Sequence, residues 1–290
     1  MSLAGWLALG AFRAGGALVP RLPIAAVRAA ADVAGLASYA LSRGARRALA
    51  RNLTTVLDPG DPDLVALRVR EAFRAQTQNY VDLFRIPALR LDQIERMVEL
   101  NGWENVESAR GAGRGAVLAA VHLGNVDLVA QITCALGVPV TIPVEPLSPR
   151  ALLEYVTALR TAHGLRLVPI DEDALGAVSA ALRRGEVVGF AVDRDVQGSG
   201  QPTPFLGRRA RLSHAPALVA RRHRAPILPA SVRRLPGDRF VATIHPPVWP
   251  RPGLSTAALM AEIVHPLEDA IRHTPGQWVM FQPLFEPEGR

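Results

Sequence analysis

The spacing of apolar positions changes once along this chain. Up to about residue 86 the apolar positions recur at helical spacing, and Pro87 stops a helix that begins in an Asp-rich stretch. From about residue 98, short apolar runs alternate with helices closed by glycines such as Gly137 and Gly164. This alternation predicts an α/β fold with a central, mostly parallel sheet flanked by helices on both faces.

The second part of the chain supplies the strands of that sheet. The runs "GAVLAAVH", "VPVTIPV", "LRLVPI" and "EVVGFAVD" are predicted as buried strands, with helices between them. An irregular Gly/Pro loop is predicted at 197–208, followed by a helix opened by Ser213 and two strands, "APILPASVRR" and "RFVATIHPPV". A last helix is predicted over roughly 255–272.

The first fifty residues are apolar but are interrupted by Arg13, Arg28 and Asp32. The uninterrupted runs are too short to span a bilayer, and no basic segment precedes them as in a signal peptide. We therefore expect residues 1–50 to be helices that associate with a membrane interface, and residues 51–290 to be the α/β domain. The alternative is a pair of Ala-rich helices that belong to the core.

The charge of the chain narrows the class of partner. The net charge is +7, all 33 basic residues are arginines, and the isoelectric point is near 10.9. Such a balance indicates an anionic partner: nucleic acid, a membrane surface or a phosphorylated substrate. The chain shows no recognised nucleic-acid module and has only 5% aromatic residues for stacking on bases, so we expect no nucleic-acid partner.

Cysteine and histidine usage argues against a metal or a disulfide. A single cysteine, Cys134, excludes an intramolecular disulfide and suits a reducing cytoplasm. It lies seven residues beyond Asp127, which predicts a packed thiol rather than a nucleophile at the mouth of a site. His163 is assigned to a helix end, and the remaining histidines lack metal-ligand spacing, so no metal is expected; these are His214, His223, His245, His265 and His273.

The stretch "AAVHLGNVDLVA" at 119–130 carries the first candidate chemistry. Five residues of helix rotate a side chain by about 500°, so His122 and Asp127 meet only if the helix begins after the histidine. The sequence predicts a strand to Val121, a turn through Gly124 and a helix from about Val126. His122 then lies at the carboxyl end of a strand, where open α/β sheets bind ligands, and Asp127 can reach back toward it. Such a pair can remove a proton from an attacking alcohol, although His-x4-Asp alone also fits a strand end followed by a helix start.

Two further groups are candidates for binding. Asp193, Arg194 and Asp195 follow the strand "GFAVD", and an arginine between two aspartates at a strand end is suited to positioning a polar substrate. The densest basic stretch is either a solvated surface or a site for anionic headgroups or the phosphates of coenzyme A; it comprises Arg208, Arg209, Arg211, Arg221, Arg222 and Arg224.

These blocks, in this order, resemble the glycerolipid (lysophospholipid) acyltransferase superfamily. The similarity is closest to the bacterial branch that contains the late lipid A acyltransferases and the phosphatidylinositol mannoside acyltransferases. It runs from about Arg51 to the end and includes "ELNGWENVESARGAGRGAVLAAVHLGNVD", "AVDRDVQGSG" and "PGQWVMFQPLF".

The resemblance implies an acyltransferase with His122 as general base, oriented by Asp127. It implies an acyl-thioester donor and places Asp193, Arg194 and Asp195, with Asn125 of the turn, on the side of the acceptor. Acyl-CoA is expected as a substrate, with no cofactor and no protein partner readable from the chain. The expected acceptor is a membrane glycolipid, and the expected location is the cytoplasmic face of the bacterial inner membrane, as a peripheral protein on its anionic surface.

The chain departs from the pattern of that family at two positions and leaves alternatives open. The family turn usually reads His-Ser-Gly-Asn-Trp-Asp, whereas Leu123 and Val126 replace the Ser and the Trp here, so the turn alone does not identify the acceptor. The ending "MFQPLF" is closer to the mannoside type. The rivals are a lipid A-type enzyme that uses acyl carrier protein, a non-catalytic basic membrane- or nucleic-acid-binding protein, and an esterase based on Ser213 or Ser231. Neither of these serines lies in a Gly-x-Ser-x-Gly elbow.

Overall fold

The computed structural model describes residues 3–57, 61–171 and 173–286. Within them the strands are β1 Val98–Asn101, β2 Ala116–Ala120, β3 Val140–Val144, β4 Arg166–Pro169, β5 Val187–Ala191, β6 Gln201–Phe205, β7 Arg208–Leu212, β8 Ile227–Leu235 and β9 Arg239–Ile244. The α-helices are α1 Leu3–Leu18, α2 Ile24–Leu41, α3 Arg43–Thr54, α4 Pro62–Arg85, α5 Leu91–Met97, α6 Trp103–Gly111, α7 Val126–Val129, α8 Ile132–Ala135, α9 Arg150–Arg160, α10 Ala174–Arg183, α11 Ala215–His223 and α12 Thr256–His273.

Seven strands form the central sheet, in the order β1-β9-β8-β2-β5-β3-β4. All neighbouring strands are parallel except β8 and β9, which form an antiparallel pair. The prediction of a mostly parallel sheet flanked by helices is confirmed. Parallel strands have their carboxyl ends at one edge, so the residues that follow β2 and β5 are brought together there.

The sheet is covered on both faces, as the apolar strands require. Successive side chains of a strand point to opposite faces. In β2, Val117 and Ala119 pack with α3, α4, α11 and α12 in the largest core cluster. Ala116 and Leu118, which alternate with them along the strand, pack against α6 and the α8 region. The near-continuous apolar run of β2 is therefore explained by burial on both sides.

Helices α1 to α4 form the N-terminal part of the chain, and α2 lies along α4. By length and composition alone, α2 is the one helix in the described residues that is long and apolar enough to cross a membrane. Its two charged residues lie on the side that faces α4, where Arg28 pairs with Asp82 and Asp32 pairs with Arg74. Its outer side exposes apolar side chains, including Val33 (68% exposed) and Leu41 (82% exposed). In a water-soluble protein a surface helix turns its apolar side inward and its charged side to solvent. Helix α2 has the opposite arrangement, with its charges inside and apolar side chains outside.

Two local elements differ from the sequence-based predictions. The segment expected as an irregular loop at 197–208 contains β6, which pairs antiparallel with β7 around Leu206 and Gly207, both at positive φ. Two prolines interrupt the ladder of β6, which has only one partner strand, and prolines are tolerated on such edges. The helix expected between Asp127 and Gly137 is divided into α7 and α8.

Candidate active site

The site is built from the chain segments that follow β2 and β5. Ala120 and Ala191 are paired across these parallel strands, and His122 and Asp193 each come two residues later. Adjacent strands are about 4.8 Å apart, so residues at equivalent positions beyond them face each other. Nδ1 of His122 lies 2.8 Å from Oδ1 of Asp193.

Asp193 is completely buried and accepts several hydrogen bonds. In addition to the imidazole, the backbone N–H of His122 and the indole N–H of Trp278 each donate to Oδ2 at 2.9 Å. A buried carboxylate is tolerated only with such compensation. Because Asp193 is an acceptor, Nδ1 of His122 carries the proton, and the lone pair of Nε2 is left for a substrate.

The two groups shift the pKa of each other. Burial by itself lowers the pKa of His122, but the carboxylate of Asp193 raises it, and the net shift is upward from the usual 6.5. Burial by itself raises the pKa of Asp193, but the charge and hydrogen bond of His122, followed by the Trp278 indole, bring it below its usual value. The pair is thus arranged to stabilise an imidazolium, the species formed when His122 accepts a proton.

The turn after His122 is fixed by backbone contacts. The backbone N–H of Val279 donates to the His122 carbonyl at 2.9 Å, and that of Gly124 donates to the Gln277 carbonyl at 3.1 Å. Gly124 has φ +65°, and a Cβ there would lie 2.5 Å from the Val232 carbonyl oxygen. Only glycine fits this position, so the turn is held between β8 and the C-terminal segment.

Asp127 does not contact the imidazole as the His-x4-Asp interpretation requires. Its carboxylate pairs with Arg160 of α9 at 2.9 Å, and its side chain is 32% exposed. Its charge still contributes to the raised pKa of His122, but as the last of the named causes. The pairing expected between His122 and Asp127 is therefore corrected: the carboxylate on Nδ1 is Asp193, a residue that the family resemblance places on the acceptor side.

The other residues expected on the acceptor side have different environments. Asn125 is buried, caps α7 by accepting the Leu128 N–H at 3.1 Å, and donates to Asp82 at 2.7 Å, so its side chain faces the protein. Arg194 pairs with Glu145 at 2.5 Å. Arg194 and Asp195 both line the opening beside Asp193.

The basic stretch is divided between two places. Arg208, Arg209 and Arg211 belong to β7, and Arg211 lines a cavity of about 550 Å³ together with Asp193 and Gln282. Arg221 and Arg222 lie at the end of α11, which leads into the first residue of β8 and therefore to the amino edge of the sheet. The sequence suggested one cluster, but α11 carries its second half away from His122.

A larger cavity of about 910 Å³ opens beside His122. Its walls are mostly apolar and come from the sheet and from α9, with Leu118, Ile142, Leu167 and Val156 among them. Phe12 of α1 and Tyr80 of α4 also line it, with ring centroids 5.3 Å apart. The space can accept a long apolar group whose polar end lies at the imidazole.

Cys134 and the remaining histidines lie outside this arrangement. Cys134 is half-buried against apolar neighbours, and burial raises the pKa of its thiol. His163 contacts the Ile86 carbonyl at 2.9 Å, and His214 contacts Thr203 at 2.8 Å. In the described ranges, no group of three or more His, Cys, Asp or Glu side chains is placed to hold a metal ion. The absence of a metal stays a prediction.

Three participants of the site were not identified from the sequence. Trp278 lies in the C-terminal motif "PGQWVMFQPLF", to which the resemblance assigns no role, although a fully buried indole requires an acceptor for its N–H. Arg160 and Asp82 lie on helices whose apolar pattern gave no sign of a polar partner. Only the strand order and the packing of the helices bring them to the turn.

Comparison with known proteins identifies the chain's relatives. It is 26% identical to the phosphatidylinositol mannoside acyltransferase of Mycolicibacterium smegmatis, over 98% of this chain and 95% of that protein. It is also 26% identical to the protein of the same name from Mycobacterium tuberculosis, over 94% of this chain and 87% of that protein. The sequence model of the bacterial lipid A biosynthesis acyltransferases matches residues 3–286. The chain therefore belongs to the bacterial lipid A biosynthesis acyltransferase family and is an acyltransferase of the lipid A or phosphatidylinositol mannoside type.

Proposed function

We propose that this acyltransferase moves a fatty acyl chain from acyl-CoA to a hydroxyl of a membrane glycolipid, a phosphatidylinositol mannoside. The observation that carries the proposal is the His122–Asp193 pair at the wall of a large apolar cavity. The names of the relatives support the mannoside acceptor. The cavity supports an acyl donor with a long apolar tail.

The reaction needs one base and no covalent enzyme intermediate. Nε2 of His122 takes the proton of the acceptor hydroxyl as its oxygen attacks the thioester carbonyl carbon. A C–O bond forms, the C–S bond breaks, and the leaving thiolate takes this proton from His122. Asp193 holds Nδ1–H and stabilises the imidazolium between these two steps.

The Asp127–Arg160 pair supplies charge at the cavity wall. Both side chains line the cavity. The Arg160 side chain is 29% exposed, so the accessible part of its guanidinium can contact a substrate oxygen. In this proposal Asp127 keeps the guanidinium in place and does not orient the imidazole.

The direct test is acyl transfer by the purified full-length protein and by His122→Ala. Labelled acyl-CoA and acyl carrier protein thioesters are each offered with a phosphatidylinositol mannoside or a lipid A precursor. We expect transfer from acyl-CoA to the mannoside, and a loss of at least ~10²-fold in His122→Ala, the usual cost of removing a general base. His163→Ala, which changes a histidine outside the site, is the matched control and should keep its activity.

Other outcomes of this assay would overturn parts of the proposal. Transfer only from acyl carrier protein to a lipid A precursor would establish the lipid A-type alternative. Near-normal transfer by a well-folded His122→Ala protein would remove the assignment of the base.

The proposed location is the cytoplasmic face of the inner membrane, with the protein attached peripherally. The outer side of α2 exposes apolar side chains, whereas the charges of α2 are paired with α4. The basic helix α3 follows and carries Arg43, Arg46, Arg47 and Arg51. Apolar insertion and attraction to anionic headgroups would act together. The cavity is lined by α1, so a two-tailed acceptor could reach His122 from the membrane.

Vesicle co-sedimentation tests this attachment. The double variant Leu36→Ser with Leu41→Ser changes two exposed residues of α2 and should lower the vesicle partition coefficient at least ~10-fold, since each leucine contributes up to about 1.5–3 kcal/mol on burial. The matched control, Leu218→Ser with Trp249→Ser, changes exposed apolar residues elsewhere and should bind normally. Equal binding by the α2 variant and the wild type would place the membrane contact on another surface.

A further inference from the structure

Arg28 lies where the N-terminal helices meet the catalytic turn. It is on the inner side of α2, with 16% of its side chain exposed. Its guanidinium donates to the side-chain oxygen of Gln78 at 2.9 Å, pairs with Asp238 at 2.8 Å and forms a short ion pair with Asp82. A charged residue in an apolar helix costs free energy unless it is paired, and Arg28 is paired on each side.

Asp82 of α4 joins this arginine to the turn. Its side chain is 1% exposed and also forms a short ion pair with Arg234 of β8. Its Oδ2 accepts the amide N–H of Asn125 at 2.7 Å. Asn125 lies three residues after His122, and its side-chain oxygen caps α7 by accepting the Leu128 N–H. A continuous polar chain therefore runs from α2 to the helix that begins directly behind the base.

The same helix α4 makes a second contact with this turn. The side-chain amide of Asn79 donates to the Gly124 carbonyl at 2.7 Å, and Arg234 donates to Asn79 at 3.1 Å. Gly124 and Asn125 are thus fixed by groups that share Arg234. Arg28 supplies the other half of the positive charge around Asp82.

We propose that Arg28 is a positioning residue for acyl transfer, which acts through Asp82 and Asn125 on the turn that carries His122. This inference rests on the proposed function for its kinetic test. Without Arg28, Asp82 loses one of its two guanidinium partners and shifts toward Arg234, so the Asn125 amide is no longer fixed. Docking of α2 is thereby made a condition for correct placement of the base.

The second ion pair between the same helices distinguishes positioning from simple attachment. Asp32 of α2 and Arg74 of α4 form a pair at 2.5 Å, and neither contacts the turn. Arg28→Met and Arg74→Met each remove one guanidinium that joins α2 to α4, but the Arg74 pair is the more exposed of the two and connects to Arg28 only through Gln78. If Arg28 only attached α2 to α4, both variants would loosen α2 without a selective effect on the turn that carries His122.

The kinetic experiment measures kcat and KM of the full-length protein in lipid vesicles. We expect Arg28→Met to lower kcat about 10-fold or more and to leave KM for acyl-CoA within about twofold, because small displacements of catalytic groups are costly. Arg74→Met should keep the wild-type kcat, and Arg28→Lys, which keeps the charge, should recover part of the loss. Equal loss of kcat in Arg28→Met and Arg74→Met, or a change in KM alone, would overturn the proposal.

A double-mutant cycle tests the route through Asn125. Asn125→Ser is too short to reach Asp82, so Arg28→Met should cause little further loss of kcat in that background. Additive losses would show that Arg28 acts independently of Asn125 and would contradict the proposed route.

A measurement without substrate separates this inference from the function. Amide hydrogen exchange of the segment 122–130 should be faster in Arg28→Met than in the wild type and in Arg74→Met. If the wild type transferred no acyl group to any acceptor, the proposed function would fail, and this comparison would still decide the inference. Unchanged exchange of 122–130 in a folded Arg28→Met protein would overturn it.

Discussion

Two carboxylates act on His122, and their environments contrast. Asp193 is fully buried and accepts three N–H groups, one of them from the imidazole. Asp127 is one-third exposed and paired with an arginine. Asp127, the nearer of the two in sequence, thus has the weaker effect on His122. Asp193, 71 positions away, makes the direct hydrogen bond. In a parallel sheet, strand adjacency decides which side chains meet, and the spacing along the chain does not.

The largest effect expected from this comparison is that of Asp193→Asn. The amide is neutral and cannot stabilise an imidazolium as the carboxylate does, so kcat should fall at least ~10²-fold. Asp127→Asn leaves the His122–Asp193 contact intact and should cost less. Steady-state acyl-transfer assays on both variants make the measurement, and a greater loss in Asp127→Asn would restore the original His-x4-Asp interpretation.

Trp278→Phe should have the next largest effect. The substitution keeps an aromatic ring but removes the indole N–H from the Asp193 carboxylate. A hydrogen bond to a charged group contributes about 1.5–3 kcal/mol, so we expect kcat to fall about 10-fold. Trp249→Phe, a change at a half-exposed tryptophan outside the site, is the control. Full activity in Trp278→Phe would show that the imidazole and backbone contacts alone fix the carboxylate.

The pH dependence of kcat distinguishes the two carboxylates without relying on the size of a loss. In the proposed mechanism His122 accepts a proton only when it is neutral, so the rate should fall as the pH drops through the pKa of His122, which the Asp193 carboxylate raises above 6.5. Removing either negative charge lowers that pKa and moves the acid limb to lower pH. The shift should be larger in Asp193→Asn than in Asp127→Asn, since Asp193 is the stronger of the two causes. A larger shift in Asp127→Asn would reverse this ranking.

The smallest effect concerns the divided basic stretch. Arg211 lines the cavity beside Asp193, whereas Arg222 is exposed at the end of α11. Arg211→Gln should raise KM for acyl-CoA about twofold to fivefold, the range expected for an exposed ion pair with a phosphate. Arg222→Gln should leave KM unchanged. The same increase in both variants would indicate that the net charge of the protein, and not a local site, attracts the donor.

Much of the fold follows from the sequence because its strands are buried on both faces. Such strands are near-continuous apolar runs, and the glycines that close the intervening helices mark the boundaries. The position of His122 at a strand end follows from the same pattern. The hairpin of β6 and β7 was missed because Pro202 and Pro204 are typical of loops, and only a strand with one partner tolerates them.

The contacts of His122 do not follow from the pattern of apolar residues. Apolar runs show where strands are but do not give their order, and the contact with Asp193 depends on β5 lying next to β2. The two halves of the basic stretch are separated because α11 runs from the carboxyl edge of the sheet back to its amino edge. The arginines of β7 and those at the end of α11 therefore lie far apart. Trp278 reaches Asp193 from a segment 85 positions further along the chain.

The site combines segments that are far apart in the chain, so its parts are synthesised at different times. Helix α2 is synthesised early, and its outer apolar side chains are available to a membrane long before translation reaches Trp278. The Asp193 carboxylate lacks its indole donor until that late segment folds back against the turn after His122. If α2 attaches the protein as proposed, attachment is expected to precede assembly of the His122–Asp193 pair. A nascent chain would acquire its location first and its reactivity last.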